Sequence, residues 1–146
     1  MHAHSGLILT RNIVPAYQIR SVLELDAMTA DIVLSDLDVY ARLSRRSHNF
    51  LICDIDDADV QGIAVAEWFR FQSQGAPWYA ICRYGNSRNM RLAREKGVRG
   101  YFFLNSAGVA LDAHAGMAHA LLRQQQKQRQ ATLRPAPQPY QPHPSF

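Results

Sequence analysis

The chain has 146 residues, 47% of them hydrophobic and 19% charged, which suits a single domain with a buried core. No apolar run reaches the roughly 18 residues of a membrane-spanning helix, and the first residues lack the basic head and apolar stretch of a secretory signal. The net charge is +4, but the basic residues are dispersed without interleaved aromatic residues, which argues against nucleic acid as a partner of this domain alone. We therefore predict a cytoplasmic protein without a membrane partner, and predict that both cysteines, each inside an apolar run, are buried thiols.

Short apolar runs alternate with longer amphipathic segments along the chain, and they predict strands and helices in turn. The predicted strands cover residues 6–10, 31–34, 50–55, 78–82 and 101–104, and the predicted helices cover residues 14–25, 38–47, 63–71, 86–96 and 107–130. Gly97 follows the fourth helix directly and suits its carboxyl-terminal cap. Residues 131–146 are rich in proline and glutamine and predict a disordered tail or linker, so residues 1–130 make up the predicted domain.

The alternation predicts an α/β fold, a doubly wound five-stranded parallel sheet flanked by five helices, because parallel strands need long crossover connections and these are right-handed. In such folds the functional site lies at the carboxyl ends of the strands, beside the switch in strand order. The sequence contains no GxGxxG, Walker-type, HExxH or CxxC motif, which are the usual fingerprints of nucleotide and metal sites. Candidate functional residues are therefore those that directly follow the predicted strands.

Several of these positions carry a family pattern. The third strand ends in Asp54, and Gly62 follows eight residues later. The dipeptide at residues 76–77, Ala-Pro, introduces the fourth strand, and the segment REKGVRGYFFLN at residues 94–105 places Tyr101 on the fifth. In order and spacing the chain resembles the receiver domain of two-component response regulators, a CheY-like domain with a flavodoxin-like fold. The resemblance implies a signalling role, with Asp54 at the phosphoacceptor position.

The departures from the family pattern bear on function. Where a working receiver holds magnesium with two acidic residues after its first strand, this chain has Arg11 and Asn12. Cys82 replaces the serine or threonine that binds the phosphoryl group, and Leu104 replaces the lysine that pairs with its charge. Asp54 alone of the family's catalytic set is retained. The resemblance therefore implies a degenerate pseudo-receiver without a metal ion, cofactor or catalytic residue, in which Asp54 is not phosphorylated at a useful rate.

These side chains predict a vestigial phosphoacceptor pocket made of Asp54, Arg11, Asn12, Asp56, Cys82 and Leu104. We expect the guanidinium of Arg11 to pair with the carboxylate of Asp54, since the first and third strands are neighbours in this fold. The alternative is that Arg11 points to solvent while Asp54 accepts hydrogen bonds from backbone N–H groups. The converging polar groups also leave open a pocket for a small molecule.

The loop after the third strand is acidic, with Asp56, Asp57 and Asp59 close to Asp54. Such a loop could recruit a divalent cation despite the missing acidic pair. A solvated loop with an Asx-type turn is the favoured interpretation.

We expect the chain to act through protein–protein contacts with partners of a signalling pathway, homodimerisation included. The candidate interaction surface consists of Arg88, Arg91, Arg94, Tyr101 and Leu111. Tyr101 holds the family's switch position, but because the cysteine at position 82 is a poorer hydrogen-bond donor than a hydroxyl, we expect a static, partly buried tyrosine. Two alternatives stay open: a receiver that is still phosphorylated on Asp54, and the amino-terminal regulatory domain of a transcription regulator.

Overall fold

A computed structural model describes residues 4–25, 27–83 and 85–109 of the chain. The strands are β1 (Ser5–Leu9), β2 (Thr29–Val33), β3 (Phe50–Asp54), β4 (Trp78–Arg83) and β5 (Tyr101–Leu104), and the helices are α1 (Ile13–Glu24), α2 (Asp36–Arg45), α3 (Gly62–Gln72) and α4 (Ser87–Glu95). Every predicted strand is present. Each of the first four predicted helices is present as well, with bounds that differ from the predicted ones by one or two residues.

The five strands form one parallel sheet in the order β2-β1-β3-β4-β5, which confirms the predicted doubly wound fold. The chain runs outward from β1 to β2, then crosses back to β3 on the other side of β1. The direction of winding therefore reverses between β1 and β3, and the crevice at their carboxyl ends is the expected place for a site. In the register of this pair, Leu9 lies opposite Cys53.

Both faces of the sheet are buried, because side chains alternate between two apolar layers along each strand. On one face, Leu7, Leu51 and Trp78 pack with residues of α2 and α3. On the other face, Ile8 and Ile52 pack with residues of α1. Cys53 and Cys82 are both buried free thiols in the first layer, as the apolar runs around them predicted. Among the described helices, none has the length and hydropathy needed to cross a membrane.

Side-chain capping bonds mark the starts of α2 and α4. Ser35 precedes α2, and its hydroxyl oxygen accepts a hydrogen bond from the backbone N–H of Asp38 at 3.2 Å. Asn86 precedes α4 and its side chain caps that helix, so α4 begins one residue later than the apolar pattern predicted. Gly97 follows the cap residue of α4 with a φ of 79°, the left-handed conformation that glycine adopts without strain.

The prediction of a helix that begins at Ala107 is wrong at its start. The side-chain oxygen of Asn105 accepts hydrogen bonds from the backbone N–H groups of Ala107 and Val109, each at 2.9 Å. These bonds close a tight turn in which Gly108 has a φ of 77°, so the chain cannot enter a helix there. The rest of the predicted fifth helix, with Leu111, and the predicted tail at residues 131–146 lie outside the described residues.

Candidate functional site

A cleft of about 480 Å³ opens at the carboxyl ends of the strands. We call it the carboxyl-edge cleft. Its lining residues are Arg11, Asn12, Asp54, Asp56, Asp57, Ala58, Arg83, Asn86 and Leu104. The structure thus brings five of the six residues of the predicted vestigial pocket to one place, and the sixth, Cys82, lies beneath it in the core.

Asp54 is the buried centre of this cleft, with 7% of its surface exposed. Because Leu9 lies opposite Cys53, the next residues along β1 and β3 are neighbours, and the Thr10 hydroxyl donates a hydrogen bond to Oδ2 of Asp54 at 3.0 Å. Oδ1 of Asp54 accepts from the backbone N–H groups of Asp56 at 2.9 Å and Asp57 at 3.2 Å, which forms the predicted Asx-type turn. Burial raises the pKa of Asp54, although these hydrogen bonds oppose the shift.

The expected pairing of Arg11 with Asp54 is wrong. The guanidinium of Arg11 instead donates two parallel hydrogen bonds to Asp57, at 2.7 and 2.9 Å, and lies 2.7 Å from a carboxylate oxygen of Asp59. The oxygens of Asp54 already accept hydrogen bonds from two N–H groups of the loop and from Thr10, directly after β1. The side chain of Arg11 is half exposed and lies at the outer rim of the loop. The hydrogen bond from Arg11 lowers the pKa of Asp57 below its ordinary value.

Asp56 links the loop after β3 to α4. Its Oδ1 accepts hydrogen bonds from the side-chain amides of Asn86 at 2.7 Å and Asn89 at 2.9 Å. Its Oδ2 accepts from the backbone N–H of Arg83, and the Asn89 amide also donates to the carbonyl of Ile55 at 3.0 Å. The acidic loop is therefore held by hydrogen bonds to Asp54 on one side and to Arg83 and α4 on the other. The carboxylate of Asp56 is thus bound within the protein and is not freely solvated.

The fold is that of known signalling proteins. Comparison of the sequence with protein-family models and with curated proteins found no match. By structure, the chain is similar to a CheY-like receiver domain protein from Methanospirillum hungatei (13% identity, TM-score 0.70, 90% of this chain and 99% of that one). It is also similar to the NtrX receiver domain from Brucella abortus (14%, 0.67, 82% and 95%) and to the beryllofluoride-activated NtrC4 receiver domain dimer (14%, 0.60, 70% and 84%). The chain has the receiver fold.

The magnesium ion of phosphorylated receiver domains does not fit this cleft. A hard cation needs several free carboxylate or carbonyl oxygens, but the oxygens of Asp54, Asp56 and Asp57 already accept hydrogen bonds, and the Arg11 guanidinium holds the rim of the cleft. Within the part of the chain that the structure covers, no group of three or more His, Cys, Asp and Glu side chains is arranged to hold a metal ion. The carboxylate oxygens of the acidic loop accept hydrogen bonds from arginine and asparagine side chains, whereas a metal ion would need these oxygens as free ligands.

The two remaining positions of the predicted pocket, Cys82 on β4 and Leu104 on β5, carry apolar side chains. Cys82 is fully buried, and burial, with a smaller effect of the nearby Asp56 and Asp54, raises the pKa of its thiol to about 12. Such a thiol is protonated and poorly reactive at neutral pH. Leu104 is 5% exposed and packs in the core layer beneath α1. Neither side chain can supply the hydroxyl or the cation with which the family binds a phosphoryl group.

The rest of the predicted site residues lie around the cleft. The backbone N–H of Asn12 donates to the Thr10 hydroxyl at 3.0 Å. Tyr101 is half-buried, and its hydroxyl donates to the carbonyl of Met90 at 2.9 Å, which ties β5 to α4. Arg88, Arg91 and Arg94 are exposed on α4.

Sequence reasoning misses three residues of this site, namely Thr10, Asn86 and Asn89. The apolar pattern predicts Thr10 as the last residue of the first strand, and its place directly before Arg11 also puts it at a strand end. The two asparagines follow β4, where a search of strand ends could have found Asn86. Only the approach of α4 to the loop after β3 shows that both amides bind Asp56.

Proposed function

We propose that this chain is a signalling module of the receiver type that works without phosphorylation and acts by binding other proteins. The observation that carries the proposal is the guanidinium of Arg11, which lies in the carboxyl-edge cleft and is hydrogen-bonded to Asp57 and ion-paired with Asp59. The likeness to receiver domains supports the signalling role by fold alone.

Phosphoryl transfer to a carboxylate needs positive charge placed where charge develops on the transferred group, supplied by a metal ion and a cationic side chain. In this cleft two carboxylates already neutralise Arg11, and Leu104 stands at the end of β5. A phosphoryl group on one oxygen of Asp54 would also displace the donors on that oxygen, which are the Thr10 hydroxyl on Oδ2 or the two backbone N–H groups on Oδ1. The cleft supports a fixed conformation better than a phosphorylation cycle.

The surface of α4 is the candidate for contact with a partner protein. Arg88, Arg91 and Arg94 are exposed there, and among the ion pairs of the described residues none involves these three. A two-fold dimer centred on them would place like charges together, so an acidic partner suits this surface better than a second copy of the chain. The hydrogen bond from Tyr101 to Met90 holds α4 on β5 without any phosphate.

The proposal is tested by incubating the chain with acetyl phosphate, or with beryllofluoride and magnesium, and recording intact mass and amide NMR spectra. We expect no added phosphoryl mass and no shift of the Asp54 loop. As a positive control, a variant with Thr10→Asp, Arg11→Asp, Cys82→Thr and Leu104→Lys supplies acidic, hydroxyl and cationic groups around Asp54. Position 10 is used in place of the expected position 12 because the Thr10 side chain contacts Asp54 directly. A stoichiometric adduct on the natural chain that is lost in Asp54→Asn would overturn the proposal and favour a working phosphoacceptor.

Self-association of the chain is tested by light scattering at two protein concentrations. We expect a monomer at both, because the exposed arginines of α4 repel their symmetry copies. A dimer that persists on dilution and survives substitution of these arginines by glutamine would contradict the preference for an acidic partner.

A further inference from the structure

A second polar cluster lies at the opposite edge of the sheet, where α2 ends and the chain turns into β3. The sequence there, at residues 45–48, reads Arg-Arg-Ser-His. Only 6% of the surface of His48 is exposed, and its ring atom Nδ1 has no hydrogen-bond partner among the described residues. A buried polar atom without a partner costs free energy, so its presence calls for a group that would bind it.

Two clefts meet at this histidine. One, of about 230 Å³, runs between the ends of α2 and α3. The other, of about 350 Å³, runs between α2 and β2, where Asp31 and Asp38 also line it. Arg45, Arg46 and His48 line both clefts, and we call these three residues the amino-edge site. The first cleft also has Ser47 as a polar lining residue, and Leu43 and Phe69 as apolar ones.

The charges at the amino-edge site are unbalanced. Arg42, one turn back, is neutralised by Asp31 at 3.3 Å and Asp38 at 3.7 Å. Arg45 and Arg46 are exposed and form no ion pair within the described part of the chain. Burial first, and then the charge of Arg46, lower the pKa of His48, although a hydrogen-bonding contact of the ring with the Arg46 backbone opposes the shift. The imidazole is therefore neutral at physiological pH, and the net charge of the site comes from the two arginines.

We propose that the amino-edge site binds the phosphate group of a small ligand, with Arg45 and Arg46 as the charged donors and the ring of His48 as a buried hydrogen-bonding group. Guanidinium groups match phosphate oxygens through paired N–H donors, and they do so best when no carboxylate competes for them. The apolar side chains of Leu43 and Phe69 offer a surface to an organic group attached to the phosphate. The site is separate from the carboxyl-edge cleft and does not depend on the proposed signalling function.

Arginines in a last helical turn also interact favourably with the helix dipole, so the test needs a signal that this structural role would not change. We would titrate the full chain with inorganic phosphate and with phenyl phosphate at constant ionic strength, and follow backbone amides and histidine ring nitrogens by NMR. Constant ionic strength removes general screening as a cause of any shift. We expect a saturable shift of the His48 ring together with the amides of residues 45–48.

Matched variants separate a site from general attraction of an anion to a basic protein. Arg45→Gln with Arg46→Gln should weaken binding by on the order of tenfold or more, whereas Arg88→Gln with Arg91→Gln, which removes the same charge from α4, should leave it unchanged. Tighter binding of phenyl phosphate than of inorganic phosphate indicates a phosphate monoester, and equal binding indicates the free oxyanion. Shifts that never saturate, or an equal loss in both double variants, would overturn the proposal. His48→Phe removes Nδ1 and should also weaken phosphate binding, and an unchanged affinity of this variant would overturn the role given to the His48 ring.

Discussion

At the carboxyl edge of the sheet, Asp54, Asp56 and Asp57 each accept three hydrogen bonds from the protein itself. At the amino edge, the Nδ1 atom of His48 has no hydrogen-bond partner, and Arg45 and Arg46 beside it form no ion pair among the described residues. Both edges carry charged side chains. At the carboxyl edge Arg11 is paired with Asp57 and Asp59, whereas Arg45 and Arg46 at the amino edge have no such pair among the described residues. Removing a side chain from a fully hydrogen-bonded network leaves its partners without hydrogen bonds, which costs free energy. Removing a group that has no partner breaks no hydrogen bond. The carboxyl edge should therefore contribute to stability, and the amino edge should be free to serve a ligand.

The largest effect should come from Gly62→Ala, at the start of α3. A methyl group there would overlap with the backbone carbonyl oxygen of Asp54, so β3 and α3 would have to move apart. We expect a loss of about 3 kcal/mol in the free energy of unfolding, measured with urea. Gly75→Ala is the control: its new methyl group meets no atom within 4 Å, and it should lose only the ~1 kcal/mol of left-handed strain. Equal losses would mean that close packing does not position the Asp54 loop.

Asp54→Ala should have the next largest effect, because it leaves the buried Thr10 hydroxyl and two partly buried N–H groups without an acceptor. We expect a loss of about 2–3 kcal/mol at neutral pH, and about 1 kcal/mol for Asp54→Asn, which keeps one acceptor oxygen. Both values come from urea unfolding. Equal stability of the alanine and asparagine variants would show that these hydrogen bonds do not hold the loop.

His48→Phe tests the other edge. Because the Nδ1 atom of His48 lacks a partner, we expect a change within about 1 kcal/mol in either direction at pH 8. The pKa of His48 is lowered in the folded state, so the unfolded chain binds the proton first as the pH falls below the ordinary value of 6.5. The natural chain should thus lose stability between pH 7 and its lowered pKa, and His48→Phe should lose less. Parallel stability curves for the two proteins would contradict this.

The smallest effect concerns the ion pair of Arg11, which is half exposed and screened by water. By NMR titration of the carboxyl carbons, we expect Asp57 to titrate below its ordinary value of 3.8 and Asp54 above it. Arg11→Gln should raise the pKa of Asp57 and leave that of Asp54 unchanged. A shift of Asp54 as large as that of Asp57 would mean that Arg11 acts on the buried carboxylate after all.

The two carboxylates also give opposite pH dependences of stability. The lowered pKa of Asp57 means that its contribution is present above pH 3.8 and is lost as the pH falls through the folded-state pKa. The raised pKa of Asp54 means that its protonated form is favoured in the folded chain, so stability is lost as the pH rises through that pKa. Asp54→Asn should remove the second dependence and leave the first.

Much of the fold could be predicted because it depends on local patterns. The run FLIC at residues 50–53 is continuously apolar, as expected of a strand that is buried on both faces, and it forms β3 together with Asp54. The starts of α2 and α4 depended on single side-chain bonds, those of Ser35 and Asn86, which hydrophobic periodicity does not report. The turn at Ala107 was missed for the same reason, since the side chain of Asn105 closes it.

The sequence by itself determined that residues 11, 12, 54, 56 and 104 meet at one edge, because parallel strands bring their carboxyl ends together. Only the tertiary structure decided which of them bind one another. Thr10 and two loop N–H groups reach the buried Asp54 first, so Arg11 is left to pair with Asp57 and Asp59 at the rim. Partner choice follows from distances and burial over 44 to 46 residues of sequence separation, and no local pattern encodes these.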